Sequence, residues 1–262
     1  MKNVTVIIFL LCFMITQVSG QGEIDAQKKI FYRNEKSGAV LLNSNGFGLS
    51  YRYGKWIDDR NKNLYEIEFN YVKHPKEIKF PYYSYYTTNS YVYGKMNTMF
   101  TLRGGPGHQY EMYQKADKGG ISIRTIVNGG LTLALYKPIY YDIYVWDNST
   151  NPPSATRESK KFTVDMQPSD IIGRASFFKG LKEIKVLPGL YGKAGVSFEY
   201  STIDQVIHAL ELGVTLEVFP KDIPIMYSQN KFYFFAFFIS YRFGKIINPL
   251  MSKPDDQDLQ TK

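Results

Sequence analysis

Cysteine is almost absent from this chain: its one cysteine, Cys12, lies inside an apolar run near the start. Disulfides therefore hold no part of the remainder together, and packing or a bilayer must do so. Histidine is nearly as scarce, and His74, His108 and His208 are spread without ligand spacing. That pattern gives no basis for a metal site, and nothing in the sequence asks for a cofactor. No serine-based hydrolase signature is present, so no catalytic residue is named and an enzyme is not expected. The glycines of Leu102-Arg103-Gly104-Gly105-Pro106-Gly107-His108 come without a Lys-Ser/Thr pair or a following helix, which reads as a turn and not a phosphate loop. The net charge of +8 is mild. It permits contact with anionic headgroups but does not imply nucleic acid.

Long apolar runs are also missing after the first twenty residues. The most hydrophobic later stretch, KFYFFAFFISY at 231–241, is too short to cross a membrane as a helix and long enough to cross as a tilted strand. The first twenty residues, MKNVTVIIFLLCFMITQVSG, place Lys2 before an apolar run that ends near Val18-Ser19-Gly20. This is the layout of a secretory signal peptide, with no cysteine at the cleavage point for lipidation. The expected organisation is a signal at 1–20, a periplasmic segment at 21–44, one barrel domain at 45–246 and a polar tail at 247–262.

What the sequence does have is aromatic residues, 22 Tyr and 18 Phe, and a period of two along most of its length. Eight alternating segments are long enough to cross an outer membrane: 45–56, 64–73, 90–103, 110–118, 120–135, 187–200, 206–218 and 231–243. In the second, Tyr65, Ile67, Phe69 and Tyr71 alternate with Glu66, Glu68 and Asn70. In the last, Phe235, Phe237, Ile239, Tyr241 and Phe243 oppose Ala236, Ser240 and Arg242, while Phe234 and Phe238 blur the second face. The fold expected is all-β, an eight-stranded antiparallel transmembrane β-barrel in a bacterial outer membrane, with one long loop carrying a short helix.

The less aromatic face is rich in Gly, Ser and charge, as the filling of a narrow lumen would be. Glu66, Glu68, Glu199, Glu211 and Glu217 are placed there to pair with Arg52, Arg124, Lys193 and Arg242 in a lumen charge network. Eight strands enclose an interior that side chains alone can fill, so a plugged barrel is expected.

With the chain entering from the periplasm, the connections alternate outside and inside. Those at 57–63, 104–109, 136–186 and 219–230 fall outside, and those at 74–89, 117–120 and 201–205 inside. The long, tyrosine-rich 74–89 stretch sits awkwardly on the inner side. Loop 136–186 contains Pro152-Pro153, the sequon Asn148-Ser149-Thr150 and a Ser169-Asp170 pair suited to cap a short helix toward Phe177-Phe178-Lys179-Gly180. Phe177, Phe178 and Lys179 are the candidates for contact with an envelope or surface protein, or for a lid over the barrel mouth. Lipids of the outer membrane are the other expected partner.

The run LRGGPG at 102–107, DKGG at 117–120, GG…LYKPIYY across 129–141, IIGRASFFKGL at 171–181, LPGLYGKAG at 187–195 and FPKDIPIM at 219–226 carry a resemblance. In their order they resemble a family of small outer-membrane β-barrel proteins of Bacteroidetes, over residues 28–246. The resemblance implies a signal-bearing outer-membrane barrel without an established activity, and no site residues are carried over.

A structural or interaction component of the envelope is the leading functional expectation. A narrow channel or transport component is the alternative, against which the inward glutamates count. A secreted lipid-binding barrel would put Phe235 and Phe237 inside. A rim-site enzyme comes last: it would need a clustered His, acid and nucleophile at one rim, and His108 is the one histidine expected at the extracellular rim.

Overall fold

The computed structural model describes residues 34–83, 88–116, 119–147, 154–201, 206–228 and 230–247. The expected signal at 1–20, the sequon at 148–150, Pro152-Pro153 and the tail from 248 lie outside the described residues. Its strands are β1 (Asn34–Asn43), β2 (Gly46–Trp56), β3 (Asn61–Val72), β4 (Lys79–Tyr83), β5 (Thr88–Val92), β6 (Asn97–Tyr113) and β7 (Ser122–Pro138). They continue with β8 (Tyr140–Asp147), β9 (Ser154–Lys161), β10 (Ile171–Arg174), β11 (Lys185–Glu199), β12 (Val206–Ile223) and β13 (Lys231–Ile247). Eight of these close into an antiparallel barrel in the order β1-β13-β12-β11-β7-β6-β3-β2.

Register fixes the size of the barrel. Paired residues lead from Asn34 through Lys55, Asn63, His108, Val127, Ala194, Val214 and Phe237. The Ser44 N–H donates to the Phe237 carbonyl at 2.8 Å, so one circuit returns to β1 ten residues beyond its start. At about 3.3 Å per residue and about 4.8 Å between strands, eight strands with that shear tilt by about 40° and close at a backbone radius of about 8 Å. Such an interior is filled by side chains.

The barrel has eight strands, as expected, but not the eight read from the sequence. Asn34–Asn43, assigned above to a segment before the barrel, is β1 and zips to both β2 and β13. Its inward residues Glu35, Ser37, Ala39 and Leu41 and outward Lys36, Gly38, Val40 and Leu42 do not separate by polarity, which hid the alternation. Conversely, the segments at 90–103 and 110–118 do not form a hairpin around a 104–109 loop. Asn97–Tyr113 is one strand, paired with β3 straight through Gly104-Gly105-Pro106-Gly107.

The glycines there provide room and not a turn. A Cβ on Gly105 would stand 2.2 Å from the Gly129 carbonyl oxygen and 2.8 Å from Gly130 Cα. The β6–β7 ladder passes over Gly105 and Pro106, where proline has no N–H to give.

This correction turns the connections over. The links at 57–60, 114–121 and 200–205 share one end of the barrel with the start of β1 and the end of β13. The links at 44–45, 73–96, 139–184 and 224–230 share the other. The 74–89 stretch thus joins the 136–186 loop at one end, and 57–63 moves to the opposite end. His108, paired with Asn63 near the start of β3, lies at the end with the shorter links and not at the rim expected for it.

Outward-facing residues are large and apolar all round the wall: Leu42, Leu49, Ile67, Leu102, Leu131, Leu190, Leu216 and Phe237 stand exposed, one from each barrel strand in turn. Phe235 and Phe237 face outward, which contradicts an aromatic-lined, lipid-binding interior. The two phenylalanines that blurred the last strand face in. Phe238 is buried under the Lys193 ammonium, 4.7 Å from its ring centroid, and fits because Gly195 and Gly213 leave space beside it. Phe234 packs against Phe219, ring centroids 6.0 Å apart.

At the end with the long links, the lumen is apolar. Val72, Met99, Ala134, Tyr136, Leu187, Phe219, Ile223, Ile225 and Met226 pack as one plug. Beyond it the long links build a cap from the sheet β10-β8-β9 and the hairpin β4-β5, around Tyr91, Ile139, Tyr141, Ile143, Phe162, Met166 and Ile171. The helix expected after Ser169-Asp170 is not formed. Pro168–Asp170 and Leu181–Glu183 are single 3-10 turns, and Ile171–Arg174 is β10. Ile171 is fully buried in the cap and Ile172 nearly so; two β-branched neighbours followed by Gly173 favour a strand over a helix.

Candidate functional site

Inward positions recur every second residue on each strand, so charges spaced by two in sequence stack along the lumen. Midway along the barrel this brings together Arg52 of β2, Glu66 and Glu68 of β3, Arg103 of β6, Lys193 of β11, Glu211 and Glu217 of β12, and Arg242 of β13. Arg52 donates to Glu211 at 2.7 Å and to Glu66 at 3.0 Å. Arg242 donates to the same two carboxylates, at 2.6 Å to Glu66 and 2.8 Å to Glu211. Two acids and two bases thus form a closed ring. Arg242 also reaches Ser37 and Ser50, each at 3.2 Å, and Ser240 donates to Glu211 at 3.1 Å.

Lys193 carries the chain of contacts upward, bonding Glu68 and lying 3.4 Å from Glu66. Arg103 bonds Glu68 and approaches Glu217 at 3.4 Å, and Thr132 donates to Glu217 at 3.2 Å. Asn128 supplies Glu66 with a further donor. Burying ions is costly unless each is paired and its remaining lone pairs or protons are bonded. Here four acids and four bases are all paired, and only Arg52 Nε and Arg103 Nη2 among the eight groups' buried nitrogens and oxygens lack a protein partner.

Nearer the end with the short links lies a second layer. Lys62 bonds Glu35 and stands 4.0 Å over the Trp56 ring, whose N–H donates to Glu35 at 3.0 Å. Arg124 joins Glu111, at 3.1 Å, to Glu199, and Lys115 reaches Glu199 at 3.3 Å. Three acids again meet three bases.

Of the nine residues expected in a lumen network, seven fall in the central layer, and Arg124 and Glu199 fall in the second. The sequence reading missed Arg103, Glu35, Lys62, Glu111 and Lys115. Arg103 and Glu35 were findable once β6 was taken as one strand and Asn34–Asn43 as another, since both then occupy inward positions.

The three histidines stay apart. His74 accepts from the Lys76 N–H at 3.2 Å in the link after β3, His108 bonds Asn61 at 2.9 Å, and His208 on the outer wall bonds the Tyr241 hydroxyl at 2.8 Å. Among the described residues, no group of three or more His, Cys, Asp or Glu is arranged to hold a metal.

Phe177, Phe178 and Lys179 do not cover the barrel mouth. Phe177 packs edge-on against Phe100, an outward residue of β6, with ring centroids 6.5 Å apart. Lys137, at the outward end of β7, donates to the carbonyls of Phe177 and Lys179 at 2.6 and 2.8 Å and so pins this segment to the outside of the wall.

The chain matches no protein-family model and no curated protein. Among solved structures it is similar to Neisserial surface protein A, with TM-score 0.36 and 11% identity over 82% of this chain and 96% of that one. It is also similar to Ail, the attachment invasion locus protein of Yersinia pestis, with TM-score 0.38 and 7% identity over 83% of this chain and 100% of that one. The N-terminal β-barrel domain of Pseudomonas aeruginosa OprF is similar at TM-score 0.34 and 7% identity, over 83% of this chain and 98% of that one. Likeness at this level adds nothing to the strand order and pairing, which define the closed eight-stranded barrel by themselves.

Proposed function

We propose that this chain is a bacterial outer-membrane barrel with a lumen plugged by its own charged side chains, serving the envelope as a structural or interaction component through its outward cap. The observation that carries the reading is the inversion of polarity across the wall. The paired side chains of the central layer are 0–4% exposed, whereas Leu131 and Phe237 on the outside are 67% and 63% exposed. Water would not tolerate so continuous an apolar belt, and lipid requires it.

The ends support the same orientation. The two long links, 73–96 and 139–184, lie at the end opposite the start of β1 and the finish of β13, the polarity of a barrel entered from the periplasm. A strand of 17 residues such as β6, tilted by about 40°, rises about 42 Å, against an apolar band about 25 Å tall. The excess lifts the plug and cap clear of the hydrocarbon. Nothing catalytic is assigned: the network is a set of ion pairs with no histidine in it.

Planar-bilayer recording on the purified protein, with insertion verified by protection from protease, tests the proposal. An inserted protein that passes no discrete current agrees with a plug held by the ion-pair layers and the apolar layer above them. Stable unitary openings overturn it in favour of a narrow channel.

A further inference from the structure

Between β10 and β11 the chain makes an excursion, 175–184, that lies along the outer wall beside the cap, tied to β8 by the Ala175 N–H donating to the Tyr140 carbonyl at 2.9 Å. Apart from Ala175, its apolar side chains do not turn into any core. Phe178 is 76% exposed, and Phe177, Leu181 and Ile184 are also exposed. A soluble loop of this size would not hold four large apolar groups in water without a reason.

The location supplies one. Phe100, Leu135 and Val186 form a single row across β6, β7 and β11, next above the row of Leu102 and Leu133 in the lipid-facing belt. Phe100 stacks on Phe69 at 5.6 Å, and Phe177 meets Phe100 from above. The excursion thus continues the belt by one further layer of apolar side chains, and Lys137 fixes it there through two backbone carbonyls.

Charge is arranged around these rings as at a headgroup boundary. Arg174, Lys179, Lys182 and Lys185 are exposed, and none forms an ion pair among the described residues. The one acid within the stretch, Glu183, is already bonded to Lys161 and, at 2.5 Å, to the Tyr140 hydroxyl. Aromatic rings level with the acyl boundary and long basic side chains reaching outward from them match the two zones of a lipid interface.

We infer that residues 174–186 form an interfacial anchor, with Phe177 and Phe178 in the outer leaflet and Lys179, Lys182 and Lys185 on the phosphates of its lipid headgroups. The anchor ties the cap to the bilayer surface and sets the cap's height above it. This rests on the membrane reading above, so its test must separate the two.

Cys12 is the chain's one cysteine, so a Cys12→Ala background accepts a single fluorescent label at a chosen site. Phe178→Cys reports on the anchor, Leu131→Cys on the belt and Lys160→Cys on the exposed face of β9. Each labelled protein is reconstituted in phosphatidylcholine vesicles with or without phosphatidylglycerol. Quenching is read with a nitroxide lipid spin-labelled near the headgroup and with aqueous iodide, and circular dichroism checks the strands.

The expected result is loss of most fluorescence to the lipid quencher at 178 and 131, and to iodide at 160. A label at 178 that iodide quenches and lipid does not, while 131 still answers to lipid, overturns the anchor, leaves the barrel in the membrane and returns Phe178 to the role of a protein contact. Failure of lipid quenching at 131 overturns the membrane reading and the anchor together. With Lys179→Glu and Lys182→Glu combined, lipid quenching at 178 falls in the anionic vesicles and not in the zwitterionic ones; no change in either refutes the phosphate contact.

Discussion

Arg52 and Glu211 stand 159 positions apart in the chain and meet in the lumen at 2.7 Å. Each also belongs to the ring completed by Glu66 and Arg242, which makes the energetic consequence of a single substitution larger than that of a matched pair. Arg52→Met leaves two buried carboxylates short of a donor and is expected to cost about 3–5 kcal/mol. Adding Glu211→Met removes one of those carboxylates and keeps the Glu66–Arg242 bond, so the double variant should lose clearly less than the two single losses combined. Urea unfolding in detergent micelles across the four proteins measures this; strict additivity would mean that the ring does not act as a unit.

Two glycines of the wall make a paired prediction. At Gly105 a methyl group would press on the backbone of Gly129 and Gly130, whereas at Gly192 it would meet nothing within 4 Å. Gly105→Ala should therefore destabilise by about 1–3 kcal/mol, the range for overpacking. Gly192→Ala should be close to neutral. Equal effects would place the close β6–β7 approach in doubt.

The apolar plug and the outer wall should respond differently to the same truncation. Phe219 is buried among Ile223, Ile225 and Met226, and Phe219→Ala should cost about 3–5 kcal/mol through the cavity it leaves. Phe237→Ala exposes no cavity in a packed core and should cost less. Bilayer recordings of Phe219→Ala are expected to stay silent, because both layers of ion pairs below remain.

The cap carries an acid-sensitive contact. Burial pushes the Asp142 carboxyl up, but hydrogen bonds from Ser159 and from Arg157, the latter at 2.6 Å, outweigh it and leave the group below its ordinary range. A depressed carboxylate contributes stability that is complete above its unfolded pKa and is lost as pH falls through the folded one. Amide protection in β8 and β9 should thus decline as pH drops below about 4, the ordinary aspartate value. Arg157 is 63% exposed at its side chain, so the effect is held to about 1 kcal/mol or less. Asp142→Asn should flatten the acid response in hydrogen exchange while leaving the barrel strands unchanged.

The places where sequence reading stopped short have physical causes. Glycine and proline at 104–107 carry the same local signal whether they turn a chain or let two backbones approach, and only the positions of Gly129 and Gly130 distinguish these. β1 alternates in direction without alternating in chemistry, because Ala39 and Leu41 face a lumen that is polar elsewhere. Ser169-Asp170 has the residues of a helix cap, yet the burial of Ile171 in the cap's core and of Ile172 beside it favours a strand. The aromatic pair at 177–178 was visible as an interaction feature, while its side of the wall was not.

Alternation by itself determined that the chain is built of strands with charge on one face and aromatic residues on the other, since a period of two needs no knowledge of partners. Which strands close the ring, which end receives each link and which carboxylate meets which base were decided only by tertiary structure. Those outcomes depend on register between strands distant in sequence. A shift of one residue in any of the eight ladders would exchange lumen for outer wall along a whole strand.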